Sequence, residues 1–276
     1  MDIIQRNFFR LLRSGALNEF EQIEPMSAFK WNRLIEMVKA QDVVEITLKG
    51  LKNHGFDKKM NITPELTAKL ESYRASDPAT QGSEPHLRQE PASELSNPLF
   101  KRRLDHIRQG ERHAIDCSTE TLRLLDILIE NVNSMLTKGI SLKLILELGF
   151  YLRTKGDKVD FVKLDRWLEK LHMGRMAQLE GSILVSVFDF EKDELPFVNQ
   201  VEKGAHGLVM RSLRHTEKDT AEEWHFRQSR TGFVRNNSSV MRRNLKRSMK
   251  YFNYAPIETT SNFISNFARS LSEIEE

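Results

Sequence analysis

The hydrophobic pattern is clearest across residues 118–173, which predict three consecutive helices joined by short turns. In the first helix the apolar positions recur every three or four residues, at Leu122, Leu125, Ile129, Val132 and Leu136. Lys138-Gly139 should end that helix, because glycine enters the left-handed cap conformation without a Cβ clash. The second helix, SLKLILELGFYLR, is apolar almost all round and is expected to be buried on most sides. A third begins at Asp160 and buries Phe161, Leu164, Leu168 and Leu171.

Helical periodicity continues on both sides of this central stretch, with one interruption. Residues 74–98 hold four of the eight prolines and almost no apolar side chains, which is typical of a flexible linker. We therefore predict a helical segment at 1–74, a linker at 75–97 and a larger helical domain at 98–276. No stretch shows sustained two-residue alternation, so the predicted fold class is all-α.

Composition argues against a membrane-spanning protein and against a disulfide-rich one. Charged residues make up 29% and hydrophobic residues 39% of the chain, and no apolar run approaches the roughly 20 residues that a membrane span needs. Cys117 is the only cysteine, which excludes an intrachain disulfide framework. The N-terminus lacks the pattern of a secretory signal, so we expect a cytoplasmic protein.

One short motif resembles a metal-dependent catalytic site. Gly181-Ser182 precedes Asp189 and Glu191, and nucleotidyl-transfer enzymes use a Gly-Ser turn followed by paired carboxylates that bind Mg²⁺. Such a carboxylate pair requires a strand, and this segment has helical periodicity, in which positions 189 and 191 point about 200° apart. Asp189, Glu191 and Asp193 are therefore weak catalytic candidates, and solvated acids at a helix end are the simpler interpretation.

A second charged pair lies in the predicted buried helix. Lys143 and Glu147 are four residues apart and face the same side, which favours a structural ion pair over a catalytic one. Neither the histidines nor the single cysteine show metal-ligand spacing, so no cofactor or metal is predicted.

The charge distribution singles out the C-terminal region. The net charge is only +3, yet no acid occurs between Glu223 and Glu258, an interval with eight cations. Five of those cations accompany one predicted helix: Arg242, Arg243, Lys246, Arg247 and Lys250. Met241, Leu245, Met249 and Phe252 form its apolar stripe, which we expect to pack on the core. The cations could bind phosphates or lie on an anionic surface, or they could be a solvated helix face.

Several segments together resemble a known family. FFRLLRSG, SNPLFKRRL and KGISLKLILELGFYL, in this order, resemble helix-rich bacterial proteins of the nucleotidyltransferase family, of an uncharacterised type. The resemblance implies helices around a polymerase-beta-like catalytic core, and it matches Gly139-Ile140-Ser141-Leu142-Lys143 and Glu147 to a family pattern. In that family the catalytic turn and paired aspartates precede the segment corresponding to SNPLFKRRL, where this chain has only the predicted linker. The resemblance therefore implies a member without its catalytic core, and no catalytic residue carries over.

Three functional hypotheses follow. The first is a non-catalytic scaffold or regulatory protein that binds a protein partner or an anionic ligand through its helical surfaces. The second is an active Mg²⁺-dependent nucleotidyltransferase that uses Asp189, Glu191 and Asp193. The third, a nucleic-acid or other polyanion binder that uses the basic C-terminal helix, is less favoured because the total charge is nearly balanced.

Overall fold

The chain folds into a packed array of helices, as its periodicity predicts. The computed structural model describes residues 1–57, 59–75, 94–214, 227–228, 234–235, 245–246 and 248–272. The α-helices among these residues, in chain order, are α1 (Ile3–Leu17), α2 (Ala28–Ala40), α3 (Val44–Asn53), α4 (Pro64–Ala75), α5 (Pro98–Arg112), α6 (Thr119–Thr137), α7 (Leu142–Lys155), α8 (Phe161–Lys170), α9 (Gly174–Phe188), α10 (Ala205–Arg214) and α11 (Pro256–Ser272). The strands among the described residues form one short antiparallel pair, Arg227–Gln228 with Val234–Arg235. Because every other described element is helical, the described architecture is all-α.

The predicted helix boundaries in the central stretch are confirmed by local geometry. Gly139 follows the last residues of α6 with a φ of 108°, a conformation that L side chains rarely adopt. The Ser141 hydroxyl then accepts a hydrogen bond from the Leu144 amide at the start of α7. Asp160 caps α8 in the same way, through the Lys163 amide at 2.9 Å.

Helices α1 and α3 cross at very close range. A Cβ added at Gly15 would lie 1.8 Å from the Ile46 carbonyl oxygen, and one at Gly50 would lie 2.2 Å from the Leu11 oxygen. From local sequence alone Gly15 predicts the end of the first helix, and that prediction is wrong, because α1 continues to Leu17. The glycine is needed for the close backbone approach between the two helices, and Asn18, with a φ of 56°, caps the end of α1.

The amino-terminal helices pack on the remainder of the chain. The Phe9 ring on α1 meets the Phe188 ring on α9 edge to face, with centroids 5.7 Å apart. Arg153 on α7 pairs with Glu19 in the connection after α1. Both groups of helices thus contribute to one continuous hydrophobic core. The predicted linker lies mostly at 76–93, outside the described residues, so the predicted boundaries at 74 and 98 stay predictions.

The carboxyl-terminal half of this core is built on α6, α7 and α9. Helix α6 packs on α7, α8 and α9, and α9 also packs on α10. The apolar periodicity after Gly174 predicts a helix as far as Pro196 and another from residue 198, but α9 ends at Phe188 and α10 starts at Ala205. Asp189 ends α9 early because it adopts a left-handed φ of 60°.

Candidate binding surface

The three acids of the catalytic hypothesis lie in the connection after α9. Asp189 caps the end of α9 and is exposed, and its carboxylate lies 3.3 Å from a guanidinium nitrogen of Arg13 on α1. Glu191 caps a short 3-10 turn at Lys192–Glu194, and its amide donates to the Glu194 carboxylate at 2.8 Å. The segment is therefore a loop at these positions, so the helical reason for separating Asp189 from Glu191 does not apply.

Asp189 and Glu191 take part in contacts that hold the loop in place, as does the neighbouring Glu194. Asp193 is exposed on the 3-10 turn, while Glu194 pairs with Arg153 at 2.8 Å. Across the part of the chain that the structure describes, no three acids, histidines or cysteines come together with the geometry of a metal site. The hypothesis that Asp189, Glu191 and Asp193 are catalytic stays a prediction without support from this geometry.

The Gly181-Ser182 pair lies inside α9 and is buried. The Ser182 hydroxyl donates to the Gln178 carbonyl oxygen at 2.6 Å and accepts from the Glu202 amide at 2.9 Å. A Cβ at Gly181 would lie 2.2 Å from a methyl carbon of Val198. Gly181 thus allows the chain after α9 to pack closely on the helix, and the pair forms no phosphate-binding turn.

Lys143 is placed differently from the expectation. It was assigned to a buried helix face, but it is exposed at the first turn of α7, with its amino group 4.0 Å from the Asp42 carboxylate. Leu142, Ile145 and Leu146 supply the buried side of that turn. Glu147 is half-buried one turn later.

The basic C-terminal region has an uncovered apolar stripe. We call the described residues 245–246 and 248–252 the C-terminal segment; all but Phe252 are helical. Leu245 is 45% exposed, Met249 68% and Phe252 49%. The expectation that these residues pack on the core is wrong. Tyr251 is the buried residue instead, and at about 100° per residue it lies on nearly the opposite side of the helix from Met249.

The cations of the segment lie beside this stripe. Lys246 and Lys250 are exposed, as the predicted anion-binding role requires. Arg242, Arg243 and Arg247, together with Met241, lie outside the described residues. Position 246 follows Leu245 directly and precedes Met249 by three residues, so a cation borders the apolar stripe.

Specific contacts anchor the chain immediately after the segment. Arg175 at the start of α9 donates to the Asn253 carbonyl oxygen at 2.9 Å, and its guanidinium lies 5.4 Å from the centre of the Tyr254 ring. Ala255 is buried, and α11 begins at the next residue. The orientation of the segment is therefore set by Tyr251 and by the contacts of residues 253–255.

Helix α11 is attached to the start of α5 through a buried carboxylate. Glu258 accepts hydrogen bonds from the backbone amides of Ser96, at 2.5 Å, and Asn97, at 3.2 Å. Burial raises the pKa of the Glu258 carboxyl, and the two amide hydrogen bonds oppose that rise. Asn262, one turn later, donates to the Ser96 hydroxyl at 3.1 Å.

Sequence reasoning missed one unusual core residue. Glu180 on α9 is fully buried, and neither carboxyl oxygen has a hydrogen-bond partner. Burial raises the pKa of this carboxyl well above its ordinary value, which favours the neutral acid. Its position between Ala177 and Ile183 on the apolar side of the α9 pattern was the available signal.

Comparison with known proteins finds no match among protein families, curated proteins or solved structures. The nucleotidyltransferase resemblance therefore stays a hypothesis. Among the described residues, no helix has both the length and the apolar character to cross a membrane.

Proposed function

We propose that this chain is a non-catalytic helical protein that works as a scaffold or regulator by binding, with the C-terminal segment as its binding surface. The observation that most directly supports this proposal is the exposed apolar stripe of Leu245, Met249 and Phe252. Neighbouring apolar side chains left in water are typical of an interaction site. The stripe is adjacent to Lys246 and Lys250, so the binding surface combines apolar contact with positive charge.

The non-catalytic part of the proposal has two supports. In the helix-rich nucleotidyltransferase-family proteins that the chain resembles, the catalytic turn lies in an interval where this chain has only the predicted linker. Asp189 and Glu191 are also engaged in structural contacts, with Arg13 and within the 3-10 turn. An active enzyme would instead show Mg²⁺-dependent nucleotide binding that disappears in the Asp189→Ala/Glu191→Ala variant.

Photo-crosslinking in the cells that make the protein tests this proposal. A benzophenone amino acid is placed at Met249 in one variant and at Phe29 in a second. Phe29 is the matched control, because it is 70% exposed on α2 and Met249 is 68% exposed. Benzophenone abstracts hydrogen from C–H bonds, so adducts with protein, lipid or nucleic acid are all detectable.

We expect a defined adduct from position 249 and none of the same mass from position 29. Identical adduct patterns from the two positions would overturn the proposal. Adding Lys246→Gln to the position-249 variant should weaken the adduct, because an anionic partner is attracted less.

A further inference from the structure

We infer that the partner of the C-terminal segment is an anionic lipid surface, on which the segment lies in the plane of the interface. This inference rests on the proposed function and names the partner of the same surface. The first observation behind it is that the C-terminal segment has apolar side chains exposed to water and charged residues that are all cations. Interfacial helices combine these features, with cations beside an apolar side that enters the headgroup region.

The positive charge of the C-terminal region is complementary to an anionic lipid surface. Five cations occur between Arg242 and Lys250, within an interval from Glu223 to Glu258 that contains no acid between its ends. Of these five, Lys246 and Lys250 are described and are exposed beside the apolar stripe, and a basic sequence of this kind is attracted to anionic lipid headgroups. The exposed face of α8, by contrast, mixes both signs, because Asp165, Arg166, Glu169 and Lys170 are all exposed.

The orientation of the helix leaves the apolar stripe accessible. Tyr251 docks on the core, and Arg175 holds the Asn253 carbonyl just beyond it. The stripe through Leu245 and Met249 is consequently turned away from Tyr251 and toward solvent. No unfolding of the core is needed for these side chains to enter a lipid interface.

The size of the stripe favours a lipid surface over a protein groove. A stable protein interface buries about 800 Å² on each partner and requires complementary shape. The three exposed apolar side chains that the structure describes there offer much less area than that. A fluid headgroup layer needs no shape complementarity, and the attraction of each cation to the anionic surface adds to the apolar contribution.

Flotation of the whole protein with lipid vesicles tests the inference. Vesicles of phosphatidylcholine alone and of phosphatidylcholine mixed with phosphatidylserine are compared at low and high salt. We expect the protein to float with the phosphatidylserine vesicles at low salt and to dissociate as salt rises. Lys246→Gln should lower the partition coefficient about fivefold, which is the contribution of one cation near the surface.

A matched pair of variants tests how much the apolar stripe contributes to vesicle binding. Met249→Glu should abolish flotation, and Phe29→Glu, at a site of nearly equal exposure, should float like the unmodified protein. Both sites face solvent, so circular dichroism and thermal unfolding of the two variants should match those of the parent chain.

Three results would overturn the inference. The first is no flotation of the parent protein with phosphatidylserine vesicles, and the second is unchanged flotation of Met249→Glu. The third is an adduct from position 249 that contains an acidic protein or a nucleic acid and no lipid. In that third case the proposed binding function stands and only the lipid partner is wrong, whereas equal adducts from positions 249 and 29 contradict both.

Discussion

Helix α8 and the C-terminal segment have similar sequence patterns and opposite burial. In α8 the apolar residues Leu164, Trp167 and Leu168 are buried, and the charged side faces solvent. In the C-terminal segment the apolar residues Leu245, Met249 and Phe252 are exposed, and Tyr251 is buried. Helical periodicity thus identifies the two sides of a helix, and tertiary contacts decide which side docks.

The contacts around the two helices explain the difference. The Asp160 amide, just before α8, donates to the Thr121 hydroxyl of α6, and the backbone after Lys170 turns directly into α9. Among the described residues, the contacts that hold the C-terminal segment are those of Tyr251 and residues 253–255. Helix α8 is anchored through its apolar side, which is therefore buried, whereas the C-terminal segment is anchored through Tyr251, which leaves Leu245 and Met249 exposed.

Removal of the largest buried side chain of α8 should give the greatest loss of stability. Trp167→Ala leaves a cavity under α8, so we expect the free energy of unfolding to fall by about 3–5 kcal/mol. Urea unfolding followed by circular dichroism measures the change. Phe252→Ala is the control in the C-terminal segment; an equal loss in both variants would contradict the difference between the two helices.

The buried carboxyl of Glu180 on α9 gives a second prediction for the helices that pack in the core. In the folded chain burial raises the pKa of this carboxyl, while the unfolded carboxyl titrates near its ordinary 4.5. The folded state therefore binds this proton more tightly, so the contribution of Glu180 to stability is fully present below the unfolded-state pKa and is lost as pH rises through the folded-state pKa. Glu180→Met should remove this dependence and raise the free energy of unfolding near neutral pH by about 1–3 kcal/mol.

The measurement is urea unfolding of both proteins at a series of pH values. The stability difference should be smallest below the unfolded-state pKa and should widen as pH rises. Glu169→Met, at an exposed site on α8, controls for the general effect of removing an acid. A difference that does not vary with pH would show that Glu180 is not a buried neutral acid.

The elements of this fold were predictable where local signals determine them. Gly139, Ser141 and Asp160 act through their own backbone or through amides three residues away, so the end of α6 and the starts of α7 and α8 follow from sequence. Gly15 has the same local appearance as a helix stop. Its real role depends on Ile46, which is 31 residues away, and no local pattern reveals such a contact.

The candidate binding surface was predictable only in part. The cations and the apolar stripe of the C-terminal helix are visible as a pattern, and both were identified there. Their exposure was not predictable, because it depends on Tyr251 docking in place of the stripe. The same limit applies to Phe29, whose spacing in α2 predicts burial although Trp31 and Leu34 occupy the core side.

The smallest expected effect on stability belongs to the exposed stripe itself. Met249→Ala removes a side chain that already lies mostly in water, so the free energy of unfolding should change by no more than about 0.5 kcal/mol. Leu164→Ala, a truncation on the buried side of α8, should cost about 2–5 kcal/mol in the same urea titration. A loss of that size for Met249→Ala would mean that the stripe is covered within the folded chain. The apolar side would then be structural, and the C-terminal segment would have no free surface with which to bind a partner.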